Sequence, residues 1–220
     1  MNEKELIASR AAALLCPGWV VNLGIGIPTL VPRFVDPDAL RFHTENGLLG
    51  VGPPPEREHV DPNLVDAGKR SVTERPGAAF FDSATSFAMI RGGHVDAVIL
   101  GALQVDERGR VANWAIPGEP VLGVGGAMDL MSGARNVIIV MTHTTRDGAP
   151  KLIPECTLPL TSLRQIDWIV TELATFRGET NGLALTECAP GVSLETVRSR
   201  TTARYREALG MGSMTVARQS

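Results

Sequence analysis

Glu45 is the residue whose type and place in the sequence most directly suggest chemistry. It follows Leu40-Arg41-Phe42-His43-Thr44, which reads as a strand, and precedes Asn46-Gly47, a pair that favours a sharp turn. A carboxylate there stands at the mouth of a sheet, where it can act as a general base or as a nucleophile. The same pattern also suits a polar turn residue. A carboxylate with at most one partner is poor equipment for glycoside hydrolysis, which needs two at a defined separation. Three glycine-rich turns, at residues 24–28, 47–52 and 123–126, are able to bring backbone N–H groups close to a ligand, or are simply tight turns. Gly24-Ile25-Gly26 is not a dinucleotide fingerprint, because Pro28 and Thr29 replace the final spacing, and Gly123-Val124-Gly125-Gly126 lacks the Lys-Ser/Thr of a phosphate loop. Lys69, in Asp66-Ala67-Gly68-Lys69, is a candidate anion contact. His43, His59, His94 and His143 show no metal-ligand spacing and read as structural or surface residues. There is no G-x-S-x-G elbow, and nothing marks His143, Asp147, Thr144 and Thr145 as a triad.

The elements that must position these residues alternate along the chain. Residues 1–15 carry Ile7, Ala11, Leu14 and Leu15 at helical spacing behind Glu3, Lys4 and Glu5, the pattern of an amphipathic helix rather than a secretion signal. Strands are expected at 19–23, 40–44, 78–81, 97–100 and 136–141, the last an uninterrupted apolar run typical of a strand covered on both faces. Helices are expected from residue 30 with Pro28 near the start, at 83–91, at about 127–135, and from 194 to about 208 behind a Ser193 cap. Residues 50–63, rich in Pro and charge, read as a surface loop, and 169–171 with 183–185 as a smaller hairpin. Alternating buried strands and helices indicate one α/β domain with a mainly parallel open sheet flanked by helices. It spans residues 1–210, with 211–220 expected to be a flexible tail.

Composition narrows the function. The 220 residues hold 21 Lys+Arg against 24 Asp+Glu, a net charge of -3, with 5% aromatic residues, so neither a basic footprint nor a stacking platform for nucleic acid is present. No apolar run is long enough to span a bilayer. Three cysteines, Cys16, Cys156 and Cys188, without C-x-x-C spacing fit a reducing compartment and a cytoplasmic location.

Taken together, a set of motifs resembles the beta subunit of the family I (3-oxoacid) coenzyme A transferases. They run from Val21-Asn22-Leu23-Gly24-Ile25-Gly26-Ile27-Pro28 and Glu45-Asn46-Gly47-Leu48-Leu49-Gly50 to Ser86-Phe87-Ala88-Met89-Ile90-Arg91-Gly92-Gly93-His94. Ala112-Asn113-Trp114, Gly125-Gly126-Ala127-Met128-Asp129-Leu130 and Val170-Thr171-Glu172-Leu173-Ala174 continue the series, in unbroken order over roughly residues 5–200. The resemblance implies a fold shared with ribose-phosphate isomerases. It also implies that Glu45 is a nucleophile carrying a covalent glutamyl-CoA thioester, that the Gly126 backbone stabilises an oxyanion, and that Asn22 contacts substrate or thioester. Gly24, Gly26, Asn46, Gly47, Lys69 and Gly125 are implied as substrate or CoA contacts. Two departures, Met141-Thr142-His143 where the family usually has M-E-H, and Pro54-Pro55 after Gly52, bear on which acid is accepted.

The implied reaction moves CoA between succinyl-CoA or acetyl-CoA and a 3-oxo acid such as acetoacetate, or 3-oxoadipate. It uses coenzyme A as a substrate, with no metal and no permanently bound cofactor. The implied partner is an alpha subunit, in an α2β2 heterotetramer, and a hydrophobic patch over one face of the sheet is expected where it docks. Two readings on the same fold stand beside this one: a sugar-phosphate isomerase with Glu45 as base, and a ligand-sensing domain.

Overall fold

The computed structural model describes residues 1–118, 123 and 125–210. Its strands in chain order are β1 (Val20–Leu23), β2 (Arg41–Thr44), β3 (Leu48–Val51), β4 (Glu74–Phe80), β5 (Ala97–Gly101), β6 (Gln104–Asp106) and β7 (Val111–Ala112). They continue with β8 (Asn136–Val140), β9 (Leu152–Ile153), β10 (Trp168–Val170), β11 (Ala174–Glu179), β12 (Gly182–Cys188) and β13 (Tyr205–Glu207). The α-helices are α1 (Glu3–Ala12), α2 (Ser83–Arg91), α3 (Ala127–Gly133) and α4 (Leu194–Arg200).

Ten strands form one sheet in the order β13-β12-β11-β10-β8-β5-β1-β2-β3-β4. The central five, β10-β8-β5-β1-β2, are all parallel. Their side chains alternate between two separate cores, which is why their sequences read as continuous apolar runs. Val137 and Ile139 of β8 face one core with Ile90 of α2 and Leu130 and Met131 of α3. Ile138 and Val140 face the other, with Ile7, Ala8 and Ala11 of α1 and Val31 of a 3-10 helix. Helix α1 is fixed at its start by a capping box, in which Asn2 and Glu5 each accept the other's backbone N–H at 3.0 Å. This is the α/β fold with a mainly parallel sheet that the sequence predicts, with antiparallel flanks added at both edges.

Several local expectations are corrected. The helix expected from residue 30 is a 3-10 helix, Ile27–Phe34, because Pro32 inside it has no N–H for an α-helical bond. The loop expected at 50–63 begins later, since Gly50 and Val51 belong to β3. Gly50 adopts φ 90 at the point where the register with β4 shifts, so a bulge lies where the sequence suggests only a turn. The segments 169–171 and 183–185 are not paired with each other: β11 lies between them and pairs antiparallel with both β10 and β12. The last helix ends at Arg200 rather than near 208, and Tyr205–Glu207 joins the sheet edge alongside β12. Helices cover both faces of the central strands, whereas the edge strand β4 is largely exposed and carries Phe80 at 62% exposure. Ile25, Met128 and Leu163 are further large apolar side chains that stand exposed. The tail at 211–220 lies outside the described residues, as does Val124 of the third glycine turn.

Candidate active site

A parallel sheet presents its functional loops beyond the carboxyl ends of its strands. At that edge β1 and β2 lie side by side, with Asn22 in register with His43. Both side chains are buried, Asn22 completely. β2 then returns antiparallel through β3, pairing Thr44 with Leu48, so Glu45-Asn46-Gly47 forms the connecting turn. Gly47 is required there: its φ is 123, and a Cβ on it would fall 2.0 Å from the Phe81 carbonyl oxygen. The Phe81 N–H in turn donates to Gly47 O at 3.0 Å, fixing the turn against the segment that leads into α2.

The turn aims Glu45 back over β1. Asn22 Nδ2 donates to Glu45 Oε2 at 3.1 Å, and the same nitrogen lies 3.1 Å from His43 Nδ1. His43 Nε2 is 3.1 Å from Ser86 Oγ on α2, and the imidazole stacks on Phe81. Burial strips the ring of water and holds the His43 pKa down to about 4, so it is neutral at physiological pH. Asn22 Oδ1 is buried without a partner, a state that costs about 1–3 kcal/mol.

Gly126 closes the other side of Glu45. It is the buried N-cap residue of α3, and a Cβ on it would lie 3.3 Å from Glu45 Cγ and 3.2 Å from Phe87 Cζ. Helices α2 and α3, which carry Phe87 and follow Gly126, are tied by the Arg91–Asp129 ion pair at 2.7 Å. Gly125 has φ 55 and is exposed, with open space where a side chain would project.

The remaining residues singled out by sequence fall around this centre in different roles. Gly24 is a close-approach position: its N–H donates to Ile99 O at 2.8 Å, and a Cβ would meet Leu100 Cδ2 at 2.9 Å. Gly26, with φ 92, turns the chain into the 3-10 helix. The Asn46 side chain is engaged within the protein, its Oδ1 accepting from Thr44 Oγ1 at 2.7 Å and its Nδ2 donating to Val65 O at 2.9 Å. Thr44 Oγ1 also accepts the Ala67 N–H at 2.9 Å. The two residues flanking Glu45 therefore hold a small hairpin at 64–72, whose tip carries Lys69 at the left-handed φ of 60. A Cβ on Gly68 of that hairpin would lie 3.6 Å from Ile25 Cγ1, so the hairpin sits beside the first glycine turn. The Lys69 side chain is exposed, and among the described residues it makes no ion pair with Glu45.

The sequence thus indicates Glu45, Asn22 and Gly126, and the fold brings both Asn22 and Gly126 to Glu45. It misses His43, Thr44 and Ser86. The signal for His43 lies only in the β1–β2 register, which puts an amide beside an imidazole, and that register is not legible from one strand. Among the described residues no three His, Cys, Asp or Glu side chains come together as metal ligands would.

A carboxylate held by one neutral amide, between two backbone turns and beside a neutral imidazole, is equipped for nucleophilic attack. Comparison with known proteins gives this arrangement a family. Residues 4–200 match the family model described as Coenzyme A transferase. The chain is similar to the beta subunit of the acetate CoA-transferase of Escherichia coli, at 49% identity over 210 residues, covering 94% of this chain and 95% of that protein. It is 48% identical over 202 residues to the corresponding subunit of the succinyl-CoA:3-ketoacid coenzyme A transferase of Helicobacter pylori, covering 92% and 98% of the two chains. Among solved structures, the acyl-CoA transferase YdiF of Escherichia coli O157:H7 has the same fold, with a TM-score of 0.77 at 24% identity over 94% of this chain and 42% of that one. The chain belongs to the coenzyme A transferase family, and it matches the beta subunits of that family along almost their whole length.

Proposed function

We propose that this CoA-transferase chain is the beta subunit of a 3-oxoacid CoA-transferase working through a thioester on Glu45. In the first half-reaction the Glu45 carboxylate attacks the carbonyl carbon of an acyl-CoA. The tetrahedral oxyanion collapses, expels CoA thiolate and leaves a mixed anhydride between Glu45 and the donor acid. The thiolate then attacks the Glu45 carbonyl carbon, the donor carboxylate departs, and glutamyl-CoA remains. An acceptor carboxylate runs the same steps backwards. One thioester bond is made for each one broken, so no net proton, electron or phosphoryl group is consumed.

The observation that carries this reading is the Glu45 carboxylate with Asn22 Nδ2 at 3.1 Å and Gly126 close enough that a Cβ on it would lie 3.3 Å from Glu45 Cγ. A neutral amide orients the carboxylate without quenching it as a cation would. The absence of a side chain at 126 leaves the backbone free to approach the reacting carbonyl, and losing one oxyanion donor typically costs about 10²–10³ in rate. Gly24, Gly26, Asn46, Gly47 and Gly125 shape the walls, Asn46 by holding the turn and the Lys69 hairpin. We assign the exposed Lys69 ammonium to the anionic part of coenzyme A, which enters as a substrate. The acids exchanged are acetate or succinate and a 3-oxo acid such as acetoacetate, in keeping with the substrates in the names of the two bacterial relatives. Both relatives are named as single subunits, the first as a beta subunit, which supports an alpha partner that completes the site, and we assign the assembly as α2β2.

The test is to mix this chain and its alpha partner with acetoacetyl-CoA or succinyl-CoA and no acceptor, then map the adduct by peptide mass. CoA is expected on the peptide containing Glu45. An adduct on another residue, or transfer without any adduct, overturns the reading.

A further inference from the structure

The Asn22 amide has only two N–H hydrogens, and both are directed: one to Glu45 Oε2 and one to His43 Nδ1, each at 3.1 Å. A ring nitrogen that accepts carries no proton, so the single proton of the neutral imidazole must be on Nε2, facing Ser86 Oγ at 3.1 Å. The opposite tautomer would set a ring N–H against an amide N–H. Turning the Asn22 amide over would relieve that clash, but it would point Oδ1 at the Glu45 carboxylate, acceptor against acceptor. The amide keeps its present face even though Oδ1 is then buried without a partner.

We propose that His43 is a positioning residue for the reaction: by accepting from Asn22, it locks the amide with its N–H toward Glu45, and Ser86 in turn locks the tautomer of His43. The backbone makes this lock rigid. Asn22 and His43 are register partners on parallel strands buried in the sheet, and Ser86 is fully buried on α2, whose start is capped by Asp82 accepting from the Thr85 N–H at 2.7 Å. The ring itself is pinned by its stack on Phe81, 5.9 Å between centroids. Burial also keeps the imidazole neutral, so the lock does not place a cation beside the nucleophile. His43 touches neither substrate nor the reacting carbonyl in this account and acts only through Asn22. The proposal rests on Glu45 as the nucleophile for its kinetic consequence, whereas the tautomer stands or falls by itself.

Two measurements on the chain assembled with its alpha partner test it. Long-range 15N–1H correlation of ring-labelled histidine on the native protein should show His43 with Nε2 protonated and Nδ1 bare. A protonated Nδ1 overturns the proposal wherever a CoA adduct maps. Kinetics then separate positioning from packing. His43→Leu should lower kcat by about ten- to a hundredfold while KM for acyl-CoA stays within about twofold, the loss expected when the Asn22 hydrogen bond to the charged Glu45 is no longer held in place. His43→Asn, whose Oδ1 falls near the position of Nδ1, should recover to within about fivefold. Equal losses in the two variants, with both folded, overturn the proposal; an unfolded His43→Leu leaves the tautomer measurement to decide. An adduct on a residue other than Glu45 would sink the nucleophile reading while leaving the tautomer result intact.

Discussion

His43 and His143 are two buried imidazoles near the carboxyl ends of β2 and β8. In both, burial brings the pKa down to about 4, and both have partners on each ring nitrogen. Their neighbours differ. His143 sits between the hydroxyls of Thr171 and Thr201, each at 2.9 Å, and each hydroxyl also has a backbone carbonyl to donate to, Ala174 O at 3.1 Å and Val197 O at 2.7 Å. Neither hydroxyl is a fixed donor to the ring, so no neighbour dictates the tautomer of His143, and the ring serves the core. His43 faces an amide whose other hydrogen is committed to a carboxylate, so its tautomer is dictated. The nearby carboxylates differ in the same way. Both Glu172 oxygens accept the His143 backbone N–H, at 3.1 and 2.9 Å, whereas Glu45 holds the Asn22 amide on one oxygen. The same residue types at the same edge of the sheet thus give a carboxylate anchored to backbone in one place and a carboxylate held by a side-chain amide in the other.

The largest test of that contrast is carboxylate removal at both ends. Glu45→Gln should lose CoA transfer by about 10⁴-fold or more, as loss of a catalytic nucleophile does, while Glu172→Gln should stay within about threefold in the same assay. Comparable losses would erase the distinction. Next comes Gly126→Val, which puts branched carbon into the 3.3 Å gap beside Glu45 Cγ. Turnover should fall about a hundredfold, with thermal unfolding shifted by only a few degrees; a matching collapse of stability would make Gly126 a packing residue.

The property the two histidines share should appear in acid. Each is lowered from the ordinary 6.5 to about 4, which corresponds to about 3 kcal/mol apiece. Below pH 6.5 the unfolded chain takes up protons that the folded chain refuses. This contribution to stability is therefore complete above pH 6.5, declines as pH falls, and is spent below about 4. Denaturant midpoints measured from pH 7 to 4 should drop along that window, and less steeply for His43→Asn. The smallest effect is expected at Thr44→Val, which removes the hydroxyl joining the nucleophile turn to the Lys69 hairpin. KM for acyl-CoA should rise about fivefold with kcat nearly unchanged, in line with one neutral hydrogen bond of about 1 kcal/mol. A fall in kcat instead would move Thr44 into the group acting on Glu45.

How much of this is legible in the residues varies with the kind of signal. β8 stands out because Val137, Ile138, Ile139 and Val140 alternate between the two cores, so after Asn136 no polar residue interrupts it. β3 and β11 do not. Gly50 breaks the alternation of β3 with a bulge, and Ala174–Glu179 ends in Arg177, Gly178 and Glu179, a half-exposed strand whose pattern is easily taken for a loop. Glu45 is legible because a strand end and an Asn-Gly turn are local. His43 and Ser86 are not, since their roles come from strand register and helix packing across 43 residues of chain. The end of α4 is hidden as well, because nothing in Thr201-Thr202-Ala203-Arg204 forbids a helix. The Thr202 and Ala203 N–H groups are instead drawn to the Leu152 carbonyl, a partner about fifty residues away.

Lys69 carries one last implication. Its backbone is held in a conformation that an L-residue with a side chain enters at about 1 kcal/mol, and from which glycine would be exempt. A population of variants sorted only for heat resistance would drift toward glycine at this position. It would gain a sturdier loop and lose the one ammonium group that the loop carries at its tip. Durability and reach pull in opposite directions at residue 69, and the presence of lysine there records which of the two has been kept.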